Sequence, residues 1–405
     1  MISVAEAELR ILNGIKSTPL EQLAITDCFG RVTGKNVVSR RTQPPKAVSA
    51  MDGYAVRATD VSNVPVELNI VGYAPAGGSY DGILSAGEAV RIFTGAPVPD
   101  GADAIVIQEN TEKRDNDRVF VKKGELAQTY IRPAGLDFVE GDALIKAGTR
   151  LTARHVGLAA AMNIPWIMAH RRPRVAILAT GDEIVMPGEE IGANQIVSSN
   201  AIALSAFVSA MGGEPVLLGI APDDRKALHS MTDGITGNDI LVTTGGASVG
   251  DHDLVQEVLG ERGMDVDFWR IAMRPGKPLM FGNIEGIPVL GLPGNPVSSI
   301  VCAMIFLRPA LARMQGLDDF DRDMLSLRLA AGLPKNDRRQ DYLRATFEIQ
   351  EDGETLVRTF SKQDSSMMAT LTCADGLVVR GPHAPALEIG SRVDVLKMPS
   401  GVFNI

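Results

Sequence analysis

The sequence is poor in cysteine and histidine and has no long apolar run, and each shortage removes a class of protein. The three cysteines, Cys28, Cys302 and Cys373, lie far apart and form no C-x-x-C pair. They read as reduced, mostly buried thiols rather than as a disulfide framework. The five histidines are scattered, which leaves no spacing for a zinc site. The longest unbroken apolar run covers residues 300–307. A membrane span needs about 18 such residues, so no membrane crossing is expected. The N-terminus, Met-Ile-Ser-Val-Ala-Glu-Ala-Glu, carries acids where a secretory signal needs a basic start, and a cytoplasmic protein is expected. Basic residues are outnumbered, 40 against 49, for a net charge of −9. That balance argues against a nucleic-acid coat, which needs a basic face, but leaves a local basic pocket open. Neither internal repeats nor low-complexity segments are present.

What remains is an ordinary globular composition, 45% hydrophobic and 22% charged over 405 residues. At roughly 150 residues per domain this length suits three or four folded units. Ser3 and Glu6 form a capping box ahead of Leu9, Leu12 and Ile15, predicting a helix that ends near residues 14–17. A second helix is expected around residues 26–32. Residues 39–140 then change texture: Gly and Pro recur between short β-rich runs at 66–73, 89–93, 104–108 and 118–121, the signature of a small β-rich domain. The helical pattern returns at 152–162. The β-rich piece therefore reads as an insertion into an N-terminal helical unit made of residues 1–38 and 141–170. From residue 171 to 318 strands (175–179, 216–220, 240–244, 287–290) alternate with helices (200–211, 226–231, 254–259, 297–314). Such alternation implies a parallel sheet with helices on its faces and all strand ends on one edge. Residues 319–405 return to short strands at 343–348, 355–360, 376–379 and 392–396, expected to form a small, barrel-like β-domain. The fold class is thus multidomain α/β and β.

Chemistry-bearing residues follow the strands of the α/β unit. The turns are Thr180-Gly181-Asp182-Glu183, Pro222-Asp223-Asp224, Gly245-Gly246-Ala247-Ser248-Val249-Gly250-Asp251-His252-Asp253 and Leu292-Pro293-Gly294-Asn295-Pro296. Between the last two lies Arg270-Ile-Ala-Met-Arg274-Pro-Gly-Lys277-Pro278. In an open α/β sheet such turns converge on one crevice. Glycine-rich turns at helix N-termini offer N–H groups to an anion. Arg270, Arg274 and Lys277 are suited to neutralising phosphate or an oxyanion. Asp182, Glu183, Asp223 and Asp253 are hard oxygen donors suited to Mg²⁺. Taken singly, each piece is also plain turn punctuation, and His252 reads as a loop histidine. No phosphate loop is present, because Asp251 and His252, not Lys and Ser/Thr, follow Gly250. No G-x-G-x-x-G dinucleotide fingerprint is found. In the β-rich insert, residues 49–57 place Asp52 in a turn and residues 91–99 place Thr94 at a strand end; nothing in their spacing links them to the crevice.

In this order Ser-Ala-Met-Asp-Gly-Tyr-Ala at 49–55, Thr-Gly-Ala-Pro-Val-Pro at 94–99, Thr-Gly-Asp-Glu at 180–183, Gly-Gly-x-Ser-x-Gly-x-x-Asp at 245–253, Arg-Pro-Gly-Lys-Pro at 274–278 and Leu-Pro-Gly-Asn-Pro at 292–296 resemble the molybdopterin molybdenumtransferase family, that of MoeA and the gephyrin E domain. The resemblance spans nearly the whole chain. It implies insertion of molybdenum from molybdate into adenylated molybdopterin, coupled to Mg²⁺-dependent hydrolysis of the adenylate and release of AMP. It also implies a molybdopterin adenylyltransferase as upstream partner and an elongated homodimer whose cleft is shared between subunits. Carried over motif by motif, it assigns catalytic roles to Asp52, Thr94, Asp182, Glu183, Asp223 and Asp253, with Glu183, Asp223 and Asp253 holding the metal. It assigns substrate binding to Asp137, Gly245, Gly246, Ser248, Arg270, Arg274, Lys277, Pro293, Asn295, Pro296, Arg344 and Ser365. Residues 45–48 read Pro-Lys-Ala-Val where many members have Phe-Asp-Asn, and 270 and 274 are arginine where many have lysine; arginine keeps the charge but presents a planar fork. Two other readings stay open: an adenylyltransferase-type activity, disfavoured by length and the additional domains, and a non-catalytic gephyrin-like scaffold, disfavoured by the retained carboxylates at 52, 183 and 223.

Overall fold

A strand covered on both faces needs an unbroken apolar run, and Arg174–Thr180 is one, with Val175 to Thr180 all buried. In the computed structural model, which describes residues 1–245, 254–317 and 322–399, this strand lies between Glu214–Ala221 and Ile240–Thr244, parallel to both. Ile287–Leu292 continues the parallel run beside Ile240–Thr244. The period-2 alternation of a strand divides the core in two. Val175, Ile177 and Ala179 join the cluster containing Leu204, Val208, Val301 and Phe306 on one face. Ala176 and Leu178 join Leu228, Val258 and Leu259 on the other. The first connection runs to one side of Arg174–Thr180 and the next to the other, which makes the gap between the ends of Arg174–Thr180 and Ile240–Thr244 the switch point of the sheet.

Several details differ from the sequence expectation. The sheet has six strands, because the antiparallel pair Asp265–Trp269 and Met280–Ile284 extends it beyond Ile287–Leu292. Residues 26–32 form no α-helix. A single 3₁₀ turn, Ile25–Asp27, gives way to Gly30 in the left-handed region (φ 74°). The backbone there bonds outward instead, Gly30 N to Leu151 O at 2.8 Å and Leu151 N to Arg31 O at 2.8 Å. The N-terminal helix, Val4–Gly14, buries Val4, Ala7 and Ile11 in the core of the central sheet, while Leu20–Ala24 pairs with Trp166–His170. Cys373 is exposed, whereas Cys28 and Cys302 are buried.

The helix Pro296–Met314 is long and apolar enough to cross a membrane, yet it is almost wholly buried inside the protein. It is the core helix of the central unit. Its ladder opens into a π turn at Ala303–Leu307 just before Pro309. Proline has no N–H to donate and its ring crowds the carbonyl one turn back; the wider turn accommodates both.

The β-rich insert is a six-stranded sheet in the order 104–107, 53–56, 88–92, 66–74, 118–121, 111–114. In the C-terminal region five strands close on themselves through the pairing of Gln340–Ile349 with Gly376–Arg380. Met273–Arg274, from the central unit, adds to this barrel as a parallel partner of residues 340–341. Phe306 is fully buried at the centre of the long helix. Phe306→Ala is expected to destabilise the chain by about 3–5 kcal/mol, read as a lower urea midpoint; an unshifted midpoint would show that the helix does not carry the core.

Candidate functional site

The switch-point crevice is a cleft of ≈ 620 Å³ lined by Thr180, Glu183, Asn200, Thr244, Gly245, Pro278, Pro293, Asn295, Pro296 and Ser366, among others. Its floor is a close backbone crossing. Gly245 (φ 92°) sits so near Thr180 that a Cβ there would strike the Thr180 carbonyl, and Gly294 lies against Gly245 with its own Cβ position 3.5 Å from the Gly245 Cα. Only glycine satisfies both the left-handed backbone and the contact at 245. Asn200, at the start of helix Asn200–Ala210, fastens the rim: Nδ2 donates to Thr244 Oγ1 at 2.8 Å and to Gly294 O at 2.7 Å. The Thr180 hydroxyl is buried and has no hydrogen-bond partner among the described residues. Sequence reasoning missed Asn200 and gave Thr180, though part of the 180–183 turn, no role of its own; the Ser198-Ser199-Asn200 helix-start signal could have revealed the first.

Asp182, Glu183 and Asp223 gather at the end of the first two strands. Asp223 N donates to Asp182 Oδ1 at 3.0 Å. The Glu183 carboxylate folds back over Gly181 (φ 136°), where a side chain would overlap it. Burial pushes the Asp223 carboxyl above its ordinary value, and the charges of Asp182 and Glu183 add to the rise. Ionised Asp223 therefore weakens the folded state. Below the ordinary carboxylate range the penalty is absent; it sets in as the pH climbs through that range to the raised folded value. These hard oxygen donors and their mutual repulsion suit a divalent cation. Among the described residues no three His, Cys, Asp or Glu side chains are placed to enclose a metal ion by themselves. Mg²⁺ habitually takes only one or two carboxylates and completes its shell with water and phosphate oxygens, so the donor set fits a substrate-bridged ion. Gly246, Ser248, His252 and Asp253 lie outside the described residues.

The basic residues divide in their engagements. Arg274 is committed to the C-terminal barrel: its guanidinium pairs with Asp341, with Asp337 at 3.4 Å, and donates to Asn336 Oδ1 at 3.3 Å. Arg270 takes a left-handed backbone (φ 80°), its guanidinium 4.8 Å from the Trp269 ring centroid and its Nε buried without a partner among the described residues. Lys277 is half-buried in the loop that closes with Ile271 N donating to Lys277 O at 3.0 Å. Arg344, 1% exposed, faces no solvent. It donates to the carbonyls of Asp364 (2.9 Å), Met367 (3.0 Å) and Lys362 (3.4 Å) and to Gln363 Oε1 (3.3 Å). Ser365 lies on the segment so held. Asn295 Nδ2 donates to Ser365 Oγ at 2.8 Å and Val297 N to Ser365 O at 3.1 Å. The C-terminal region thus supplies one wall of the cleft, and Arg344 shapes that wall from behind.

Asp52, Thr94 and Asp137, all in the β-rich insert, are not among the residues lining this cleft. Asp52 and Thr94 form a unit of their own: Asp52 Oδ1 accepts from Thr94 N at 2.8 Å and Thr94 Oγ1 at 2.7 Å. Those two donors, assisted by the charge of Arg91, hold the Asp52 carboxyl below its ordinary value. Arg91 itself stacks between Tyr54 and Phe93, 5.1 and 4.6 Å from their centroids. Asp137 is exposed, its N donating to Gln43 O at 3.0 Å.

Comparison with known proteins covers the same segments. Three family models match: the MoeA N-terminal region (domain I and II) over residues 2–163, a probable molybdopterin binding domain over 176–313, and the MoeA C-terminal region (domain IV) over 326–398. The molybdopterin molybdenumtransferase of a Nostoc species is 34% identical over 379 residues, covering 91% of this chain and 87% of the relative. That of Haemophilus influenzae is 29% identical over 398 residues, covering 98% of each. The crystal structure of the molybdopterin biosynthesis MoeA protein from Pyrococcus horikosii superimposes with a TM-score of 0.86 at 30% identity, covering 99% of this chain and all of that one.

Two outcomes follow from this geometry. Asp182→Asn and Glu183→Gln should each lower the Asp223 pKa toward the ordinary carboxylate value, followed by carboxyl ¹³C NMR; an unmoved Asp223 would show that the three groups do not interact. Arg344→Lys loses the fork that spans several carbonyls. It should destabilise by about 1–3 kcal/mol and increase amide exchange over residues 362–367, with no exchange difference counting against the clamp.

Proposed function

The chain belongs to the molybdopterin molybdenumtransferase family and is a transferase of molybdenum cofactor biosynthesis; from that premise we propose that it inserts molybdenum from molybdate into adenylated molybdopterin, with Mg²⁺-dependent hydrolysis of the adenylate and release of AMP, in the cytoplasm. The observation that carries the reading is the convergence of Glu183, Gly245, Asn295 and Ser366 on one cleft beside the acidic trio of Asp182, Glu183 and Asp223. Hydrolysis breaks the phosphoanhydride between the pterin phosphate and the AMP phosphate and consumes one water. Glu183 and Asp223 would hold Mg²⁺, which would supply neutralisation of the phosphate charge. Asp182 accepts the Asp223 N–H and so fixes the turn from which Asp223 projects. The Gly245 and Gly294 backbones let the turns of the cleft floor pack against Thr180 and against each other, and the Thr180 hydroxyl, without a partner among the described residues, has a hydrogen bond to offer at the cleft wall.

Asp52, with Thr94, and Asp137 complete the site in this reading only from a second subunit, because in one chain they do not line the cleft. A homodimer with a shared cleft is therefore part of the proposal, as is an upstream adenylyltransferase that supplies the substrate. Assayed with adenylated molybdopterin, molybdate and Mg²⁺, the wild type should release AMP in a molybdate-dependent manner and reconstitute an apo-molybdoenzyme. Glu183→Ala should lose both activities by at least a hundredfold while keeping its fold. Mixing Asp52→Ala with Glu183→Ala should restore part of the activity. Absence of AMP release by the wild type would overturn the reading in favour of a scaffold, and heterodimers without recovery would place the whole site within one chain.

A further inference from the structure

A second cavity, of ≈ 540 Å³, opens at the seam between the N-terminal unit and the far end of the core helix. Its walls include Lys16 and Ser17, which follow the first helix, Gly34, Ala147 and His170 of the N-terminal unit, and Arg313 in the last turn of Pro296–Met314. No lining residue belongs to the motifs that carry the family resemblance, to the β-rich insert or to the lining of the central cleft. The core helix starts at that cleft, with Pro296 in its wall, and ends here; at 1.5 Å per residue its 19 residues place the two ends roughly 28 Å apart. The charge around the cavity is one-sided. Lys16, Arg313 and the imidazole of His170 line it, and no carboxylate does. Lys35 follows Gly34 and Lys146 precedes Ala147, so two more lysines stand next to lining residues. Lys16, Lys35, Lys146 and Arg313 are exposed, and among the described residues none of them has an ion-pair partner. This surplus stands in a chain whose net charge is −9.

Two helices end beside the cavity, and the carbonyls of a helix C-terminus ordinarily repel an anion. Here those carbonyls are engaged. Thr18 N and Oγ1 donate to Met314 O at 2.8 and 3.1 Å, Gly316 N to Arg313 O at 2.9 Å and Ile15 N to Leu12 O at 3.3 Å. Lys16 and Arg313 alone would complement the two helix ends; Lys35, Lys146 and His170 come from other segments and exceed that need. His170 is held in place by its Nδ1, which donates to Thr18 O at 2.8 Å, and its ring lies against Gly316 (φ 79°), where a Cβ would strike Nε2. Among the described residues the Lys16 and Ser17 N–H groups and the Ser17 hydroxyl have no acceptor, which adds neutral donors to the charged ones. Concentrated cations in a concave site raise the local concentration of anions, and arginine and lysine both bond phosphate oxygens. The volume is that of a small-molecule site and exceeds what a single phosphate fills. Cations spread over several segments match an anion whose own charge is spread along a chain of atoms.

We infer that this cavity binds a condensed phosphate, a diphosphate or triphosphate chain, with Lys16 and Arg313 bonded to its oxygens and Lys35 and Lys146 neutralising it from the rim. The inference does not rest on the transferase reading, since it uses neither the central cleft nor the residues of the insert.

The test is hydrogen–deuterium exchange of the full chain, without divalent metal and at matched ionic strength, with tripolyphosphate, ATP and orthophosphate. Tripolyphosphate and ATP are each expected to slow exchange over residues 15–18, 33–36, 146–149 and 313–317, and orthophosphate to need at least tenfold more for the same protection. ATP acting at tenfold lower concentration than tripolyphosphate would assign the chain to a nucleotide, and equal action would assign it to free condensed phosphate; both outcomes support a site for the phosphate chain. In Lys16→Gln/Arg313→Gln the protecting concentration should rise at least tenfold with the thermal midpoint unchanged. Should that variant fail to fold, Lys35→Gln/Lys146→Gln should raise it at least threefold. Protection absent from these segments, confined to residues 180–245 or unchanged in the folded variants would overturn the site, and equal protection by orthophosphate would overturn the condensed phosphate. Molybdate-dependent AMP release is scored separately: its absence refutes the transferase reading alone, and activity without this protection refutes the cavity alone.

Discussion

The central cleft depends on one close approach, the passage of Gly245 beneath Thr180 at the switch point of the sheet. Parallel strands place their ends on a common edge, but side chains normally hold the following turns apart. Here glycine at 245 and again at 294 brings two turns to van der Waals distance, and Asn200 bonds to both neighbouring strands' ends. Apolar burial on the two faces of Arg174–Thr180 keeps that edge in register. The acidic turns can then remain exposed and mutually repelling, since the fold does not rely on them.

The second structural theme is how firmly the C-terminal barrel is engaged. It contributes a cleft wall through Ser365 and Ser366, receives Met273–Arg274 as an added strand and pairs Asp341 with Arg274. Arg274 is thereby occupied at the junction. Arg344, a buried cation bonded to carbonyls and an amide, trades solvation for the shape of a loop, which is the circumstance in which a buried charge is tolerated.

Much of this was legible in the residues. The alternation of apolar strands and helices located the four parallel strands, and the Gly- and Pro-rich texture located the insert, because both follow from local periodicity. The motif resemblance brought the family. The antiparallel pair at 265–284 was not legible: its short strands, joined through the Arg270–Lys277 loop, carry no helix between them to mark the alternation. The helix expected at 26–32 failed because Gly30 and partners more than a hundred residues away claim its backbone. The resemblance assigned Arg344 to substrate binding; its burial behind the cleft wall was not legible, since nothing in sequence distinguishes an arginine that faces a cleft from one bonded to the carbonyls behind it. Asn200 was overlooked because its two acceptors come from distant turns.

The shared ladder at residues 273–274 and 340–341 bears on modularity. The barrel cannot be treated as a detachable appendage: shortening the chain before it would expose the edge of Met273–Arg274, strip Arg274 of its carboxylate partners and remove the support beneath Asn295. Exchange of this region between related chains is therefore constrained at its seam, where a short stretch of backbone pairing and the two ion pairs of Arg274 must be inherited together.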